Sequence, residues 1–274
     1  MLNGINSNSA GLFAQNSTSQ AQAAQAKSLQ SLSTGSRINS AKDDAAGAAI
    51  IQQFAAQIAG SNQAVRNLND AVSVAQTAEG ALSSISENTE RIRELAVAAG
   101  NSTLSASDRQ ALQAEADQLS QSNADITKNT EFNGQAVLQG GQFNFQAGPN
   151  AGNQLSFSNG ALGGEAGLNT AAGKIDLSSP AAASAALNAL DSDLQTVSGQ
   201  RANLGAFQSR VESGIQNLQT SSVNLSASRS RIADTDYAAQ SAKLAQENIR
   251  ANAGIAMQVQ ARASSGQVLS LLRA

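Results

Sequence analysis

LNALDSDLQTVSGQRANLGAFQSRVESGIQNLQTSSVNLSASRSRI, residues 187–232, decides the fold class. Within it Leu190, Val197, Leu204, Val211, Leu218, Leu225 and Ile232 recur at every seventh position without a gap. That spacing is one stripe of a helix lying along a partner helix. Leu187, Leu194 and Ile215 add a second stripe, interrupted by Arg201 and Gln208. At about 1.5 Å per residue, Leu190–Ile232 alone spans roughly 65 Å, so it needs packed partners along its length. Ser179–Pro180 marks the start, with serine as N-cap and proline in the first turn.

A helix of matching length is predicted from about Asp43 to Ala99. Ile51, Phe54, Ile58, Val65, Leu68, Val72 and Ala75 follow the same heptad spacing. Leu82, Ile85, Ile92 and Leu95 continue it, shifted by one position, as a nearly straight helix drifting against a strict 3.5-residue repeat would allow. Gly100–Asn101 closes this helix. A shorter one follows, with Ser107 and Gln110 as a capping box. It carries Leu112, Leu119 and Ile126 and stops near Phe132–Asn133–Gly134. Residues 135–165 change character: Phe143, Phe145, Leu155 and Phe157 alternate with polar residues between Gly-Gly, Gly-Pro and Asn-Gly steps, which predicts a β-hairpin or small meander. Residues 160–178 read as loop, with a brief strand-like run at Lys174–Leu177.

The two ends of the chain are thinner. Residues 2–33 form a weak amphipathic helix whose apolar face begins with Leu2, Ile5, Leu12 and Phe13, continues through Ala21 and Ala24, and finishes with Leu29 and Leu32. At the other end Asp234 or Thr235 caps a final helix with Ile249, Ala253, Ala256, Val259 and Ala263 on its face. Each buried methylene-sized group contributes only about 0.8 kcal/mol, so Ala-based helices of this kind need a partner or an assembly. Val268, Leu269, Leu271 and Leu272 concentrate apolar surface that calls for burial elsewhere. Between the thin and strong helices lie two breaks. In Leu32–Ile50, Gly35 ends a helix, Asn39 and Ser40 can cap the next, and Asp43 and Asp44 suit its positive end. Ala233–Tyr237 is the matching break, expected to lie beside the first because the arrangement brings both chain ends together.

Composition narrows the function. The chain has 274 residues, 41% hydrophobic but only 3% aromatic, with a net charge of −3, two prolines, no cysteine and no histidine. Thiol chemistry, disulfides, cysteine- or histidine-ligated zinc sites and histidine-based acid–base catalysis are therefore excluded. No dense basic run supports nucleic-acid binding. No apolar run of about 20 residues supports membrane insertion. The N-terminal MLNGINSNSAG lacks the basic and apolar regions of a conventional secretory signal, so export would need another route. The densest charged cluster of the first break, Lys42–Asp43–Asp44, reads as a helix cap with interface contacts rather than as paired catalytic carboxylates. No enzyme activity and no cofactor are expected.

The chain resembles bacterial flagellin. The residues that carry the likeness are LSTGSRINSAKDDAAGAAI (32–50), VAQTAEGAL (74–82), RIRELAVAAGN (91–101), EFNG (131–134), RANLGAFQSRVE (201–212), NLSASRSRIADTDYA (224–238) and VLSLLR (268–273), in the family's order. Ser36 and Ala48 stand where the family often has leucine, and 257–267 follows its pattern more loosely. The resemblance implies a mainly α, long antiparallel helical bundle with a small β-hairpin. It implies an inner layer from 1–40 and 235–274 and an outer layer from 41–234, with the hairpin at about 135–165 and no extra outer domains. Function would be self-assembly into the flagellar filament. A hook–filament junction protein or a flagellin-like surface adhesin is the alternative, which VLSLLR and RSRIADTDYA disfavour.

The resemblance further implies an extracellular homopolymer exported by the flagellar type III pathway, with an export chaperone, a filament cap and hook-junction proteins as partners. On this reading Gly35, Arg37, Asn39, Lys42, Asp43, Asp44, Asp234 and Tyr237 form the subunit interface and layer connector. Leu2, Ile5, Leu12, Leu29, Leu32, Ile249, Val259, Val268, Leu269, Leu271 and Leu272 pack the inner layer. Arg91, Glu94, Leu95 and Glu115 match the family's contact pattern for the Toll-like flagellin receptor of animal hosts.

Overall fold

The computed structural model describes residues 8–164 and 167–273, without the side chains of 265 and 268–273. The element order is α1 (Ser9–Thr34), α2 (Ala45–Ala99), α3 (Ala106–Asn129), β1 (Glu131–Phe132), β2 (Gln135–Ala136), β3 (Gln139–Gln146), β4 (Gln154–Ala161), α4 (Pro180–Ala233) and α5 (Tyr237–Arg273). It is a mainly helical architecture of long antiparallel helices with small hairpins. Two compact units divide it, one drawn from Met1–Ala56 and Asn224–Ala274, the other from Gln57–Val223. Among the described residues, no helix is long and apolar enough to cross a membrane.

In the Gln57–Val223 unit, α2 and α4 run antiparallel, as the pairs Arg93–Asp191 and Glu79–Arg201 and the approach of Gly214 to Leu68 show. The α4 stripe Leu190, Val197, Leu204, Val211 and Leu218 is buried as predicted. Its second stripe is one residue earlier than the leucines suggested: Ala186, Asp193 and Phe207 are buried, while Leu187, Leu194 and Ile215 flank that row half-buried. The α2 seam likewise keeps one register. Ser61, Leu68, Ala75, Leu82, Thr89 and Ala96 form one row, and Ala64, Ala71, Ala78, Ile85, Ile92 and Ala99 the other. The expected one-position shift is absent, because small residues fill the seam where no large side chain marks it. Opposite Asn123 of α3, a buried Thr89 hydroxyl takes the place of a leucine and accepts the Asn123 amide at 3.2 Å.

The cap of α3 is Ser105 with Asp108 rather than Ser107 with Gln110: the Ser105 hydroxyl accepts the Asp108 N–H, and the Asp108 carboxylate accepts the Ser105 N–H. The Ser105 hydroxyl, 2.7 Å from the same carboxylate, and then the Ser105 N–H hold the Asp108 carboxyl below its ordinary range. The chain after α3 does not simply stop. It makes an additional two-residue hairpin, β1–β2, turning at Asn133 (φ 51°) and Gly134 (φ 75°), the pairing that a tight Asn-Gly turn favours. The predicted hairpin is β3–β4, with Phe143 opposite Phe157 and Phe145 opposite Leu155. Phe157 and Phe145 pack at a tilt against Phe207 of α4, with 5.0 and 6.2 Å between ring centres. Lys174–Leu177 is not a strand; Ile175 and Leu177 are simply buried, and Gln113 holds the segment by accepting the Leu177 N–H and donating to the Ile175 carbonyl.

The other unit is built differently. Along α1 the buried stripe is Ala14, Thr18, Ala21, Ser28 and Ser31. Along α5 it is Glu247, Ala251 and Gly254. The two helices are antiparallel: the Asn8 amide donates to the Ala261 carbonyl, Gln25 to Asn248, and the Tyr237 hydroxyl to the Leu32 carbonyl. Their backbones approach closely. A Cβ on Gly254 would fall 2.4 Å from Thr18 Oγ1. Leucine cannot occupy such a seam. Leu12, Leu29, Ile249 and Val259, predicted to pack, are therefore turned outward and exposed, and Leu32 is half-buried. On α5, Ala253, Ala256 and Ala263 share this outward side; at 3.6 residues per turn it lies across the helix from Glu247, Ala251 and Gly254. Leu2, Ile5 and the side chains of Val268, Leu269, Leu271 and Leu272 lie outside the described residues.

Candidate functional site

The two helix breaks lie side by side. Gly35 closes α1 in the left-handed conformation (φ 68°), which costs glycine no Cβ clash. Its carbonyl accepts the Thr235 N–H at 3.0 Å, and the Arg37 N–H reaches the Ala233 carbonyl at 2.6 Å, forming the Ser36–Asp234 bridge. The Arg37 guanidinium donates to the Ile232 carbonyl at 2.8 Å, satisfying one of the orphan carbonyls at the end of α4. The Ser36 hydroxyl lies within bonding distance of the Ile38 and Ala233 carbonyls. Asn39 donates its amide to the Ser36 carbonyl.

Helix capping is done by Asp44, which accepts the Gly47 N–H at 2.8 Å, and by Asp236, which accepts the N–H groups of Ala238 and Ala239. Of the expected caps, Asn39 and Ser40 sit about one turn before Asp44, and Asp234 and Thr235 immediately before Asp236. Asp234 instead accepts the Ser230 hydroxyl at 2.6 Å. Asp43 gathers the turn before α2, accepting the backbone N–H groups of Asn39 and Ser40 and pairing with Lys27 of α1 at 2.8 Å. The Lys27 contact, aided by those N–H donors, holds its carboxyl down at about 2. Lys42 is exposed on the same turn. Sequence reasoning missed Asp236 and Lys27. Three neighbouring side chains at 234–236 can all cap, and spacing does not choose among them. Lys27 is distant in sequence from Asp43 and carries no local signal.

The outward face of α1 and α5 is the second feature. Leu12 is 62% exposed, Phe13 78%, Ile249 69% and Val259 63%. Leu29, Ile255 and Met257 are exposed as well, on the flanks of the helix pair. This is an unusual density of large exposed apolar groups on a helix pair whose seam holds small and polar residues, and such patches mark interaction surfaces.

The third is an ion cluster on the other unit. Arg91 donates to Glu115 of α3 and to Glu94 at 2.8 Å each, and both carboxylates raise its pKa. Leu95 does not belong to this surface. It is only 3% exposed and packs with Ile92, Leu177 and Leu190, because its position falls on the seam of α2. Nearby, Arg93 pairs with Asp191 of α4, which raises its pKa in the same way. An open cavity of about 430 Å³, lined by Ala124, Thr127, Lys128, Gln139, Gly163, Gly164 and Ala171, offers one charged group and no nucleophile–base pair.

Comparison with known proteins gives the same family at both ends. Residues 5–142 match the bacterial flagellin N-terminal helical region and residues 187–272 the bacterial flagellin C-terminal helical region. A flagellin of Halalkalibacterium halodurans is 40% identical over 249 residues, covering 90% of this chain and 91% of the relative. A flagellin of Bacillus subtilis is 38% identical over 302 aligned residues, covering 98% and 99%. The crystal structure of Bacillus cereus flagellin is similar with a TM-score of 0.50 and 27% identity, over 60% of this chain and 94% of that one. The chain belongs to the bacterial flagellin family and is a structural, non-enzymatic subunit of the flagellar filament.

Proposed function

We propose that the outward face of α1 and α5 is the surface through which subunits join in the inner layer of the filament. One observation carries this reading: Leu12, Phe13, Leu29, Ile249 and Val259 are exposed on a helix pair that has no room for them inside. Burying each large apolar side chain against a neighbouring copy is worth about 1.5–3 kcal/mol. Leu2, Ile5 and the Val268–Leu272 patch extend the same chemistry toward the chain ends. The bridge between Ser36 and Asp234, with Gly35, Arg37, Asn39, Asp43, Asp44 and Tyr237 around it, serves as the connector between inner and outer layers, with Lys42 on its exposed rim. The test is deletion of Val268–Ala274. Polymerisation is expected to be lost in sedimentation and electron microscopy while the far-ultraviolet helical signal of the bundle is kept; filaments at normal yield would sink the reading.

The filament places the protein outside the cell; we further propose export by the flagellar type III pathway, with a chaperone before assembly and cap and hook-junction proteins at the filament ends, a reading that membership of the family supports. Arg91, Glu94 and Glu115 form the exposed ion cluster of a receptor-contact surface for the Toll-like flagellin receptor, and buried Leu95 supports it from beneath. A receptor reporter assay on the intact subunit checks this: a response that R91A abolishes supports it, and silence of the unmodified subunit removes it.

A further inference from the structure

Charge is divided unevenly along this chain. The unit drawn from Met1–Ala56 and Asn224–Ala274 carries nine Lys and Arg against five Asp and Glu, a formal net charge of +4. Gln57–Val223 carries eight against fifteen, a net of −7. In the first unit every Asp and Glu side chain is engaged. Asp44 and Asp236 cap helices, Asp234 accepts the Ser230 hydroxyl, Asp43 pairs with Lys27, and Glu247 pairs with Arg250. Among the described residues, Lys42 and Lys243 of this unit are exposed and enter no hydrogen bond or ion pair. In Gln57–Val223 the carboxylates of Asp70, Glu87, Glu131 and Glu212 are exposed and equally unengaged among the described residues.

The two lysines share one flank of the α1–α5 pair. Gln25 donates to Asn248 across one side of the seam. Lys27 lies two residues beyond Gln25, and Lys243 five before Asn248. At 3.6 residues per turn both positions face away from that bond, toward the opposite flank, and in antiparallel helices they stand within about one turn of each other. Lys27 holds Asp43 at 2.8 Å, which brings the exposed turn of Lys42 to the same flank. Lys42 also stands just before the positive end of α2, where a cation gains nothing from the helix dipole.

We propose that Lys42 and Lys243 form an electrostatic docking surface for a second copy of this chain, whose Gln57–Val223 unit supplies the free carboxylates they meet. A filament is built from a contact between two different surfaces of the subunit, since a contact of like with like closes into a dimer. Here like with like would set cation against cation, whereas every copy also carries a unit of the opposite sign. The proposal rests on the polymer alone and not on the apolar face of α1 and α5. Exposed charges of this kind act mainly on the rate of encounter and on which surfaces meet, and salt screens them.

The experiment measures the critical concentration for polymerisation of full-length subunits at low and at raised sodium chloride. K42E/K243E is expected to need a concentration about tenfold higher than the unmodified protein at low salt, with the gap narrowing as salt is raised. The neutral K42Q/K243Q should fall between the two. Far-ultraviolet circular dichroism checks that the helices are kept, and if the reversed variant loses them the neutral one carries the test. Reversing the partner should restore assembly: one of D70K, E87K, E131K or E212K, added to K42E/K243E, is expected to return the critical concentration toward the unmodified value. Normal polymerisation of the lysine variants, a defect equally large at every salt concentration, or failure of all four reversals to restore assembly would overturn the proposal. Unimpaired lysine variants beside loss of assembly on deletion of Val268–Ala274 would remove this proposal alone and leave the apolar reading standing.

Discussion

The two helix pairs of this molecule follow the same heptad rule with opposite contents. Between α2 and α4 the seam holds Leu68, Leu82, Ile85, Leu190, Val197 and Leu204, all buried, and the aromatic cluster at Phe207 closes it. Between α1 and α5 the seam holds Ala14, Thr18, Ser28, Glu247, Ala251 and Gly254, and the large apolar groups point away. Apolar burial scales with area removed from water, so the first seam can hold a fold by itself, whereas the second contributes little and leaves its main apolar area unspent. One sequence rule thus makes a self-sufficient core and, elsewhere in the chain, a surface that waits for other copies.

The largest expected effect tests the first half of this contrast. L82A removes a fully buried side chain from the α2 seam and should lower unfolding stability by about 2–5 kcal/mol, read by chemical denaturation. A loss under 1 kcal/mol would mean that this seam is not the core. Next, G254V forces a branched side chain against Thr18, and overpacking of that kind costs about 1–3 kcal/mol. Hydrogen exchange should show the loss as faster exchange in α1 and α5, with the Gln57–Val223 unit unaffected; uniform slowing or no change would break the idea of a close-packed small-residue seam.

A smaller effect is confined to the junction. The Asp43 carboxyl is lowered from its ordinary value of 3.8 to about 2. A depressed carboxylate contributes stability that is fully present above the unfolded value and is lost as pH falls through the folded one. The Lys27–Asp43 contact should therefore hold at neutral pH and fail between about pH 4 and 2, as carboxyl-carbon NMR of Asp43 would show. A midpoint near 4 would contradict the geometry. Finally, I249Q should change subunit stability by less than about 0.5 kcal/mol, since the side chain is exposed, yet impair polymerisation. Equal loss of both would place Ile249 in the subunit's own packing.

What the sequence disclosed follows the same division. Large residues were legible: the Leu190–Leu218 stripe, the alternating Phe143 and Phe145, and the paired breaks at Gly35 and Asp234 all appear where patterning puts them. Small residues were not. Small residues carry most of the α2 seam and nearly all of the α1–α5 seam, and hydropathy cannot distinguish a buried alanine from an exposed one. Reading the leucines alone invented a register shift in α2 and left the small-residue seam of α1 and α5 unseen. Capping residues failed for another reason: at 39–44, 105–108 and 234–236 several side chains compete, and only backbone geometry selects Asp44, Ser105 and Asp236. Of the ion cluster, Arg91, Glu94 and Glu115 meet, but Leu95 belongs to the core.

The bridge between Ser36 and Asp234 has a kinetic meaning as well. Beside it the Ser36 hydroxyl donates to the Ala233 carbonyl, 197 residues away along the chain. Closing a flexible loop of that length costs about 5 kcal/mol of chain entropy. Because α2 and α4 run antiparallel within their own unit, folding of that unit brings the flanking chain segments together and removes most of the penalty. The thin α1–α5 pair can then form as a nearly local event. The order of folding is thereby set by topology: the bulky seam closes the loop, and the sparse one inherits the closure.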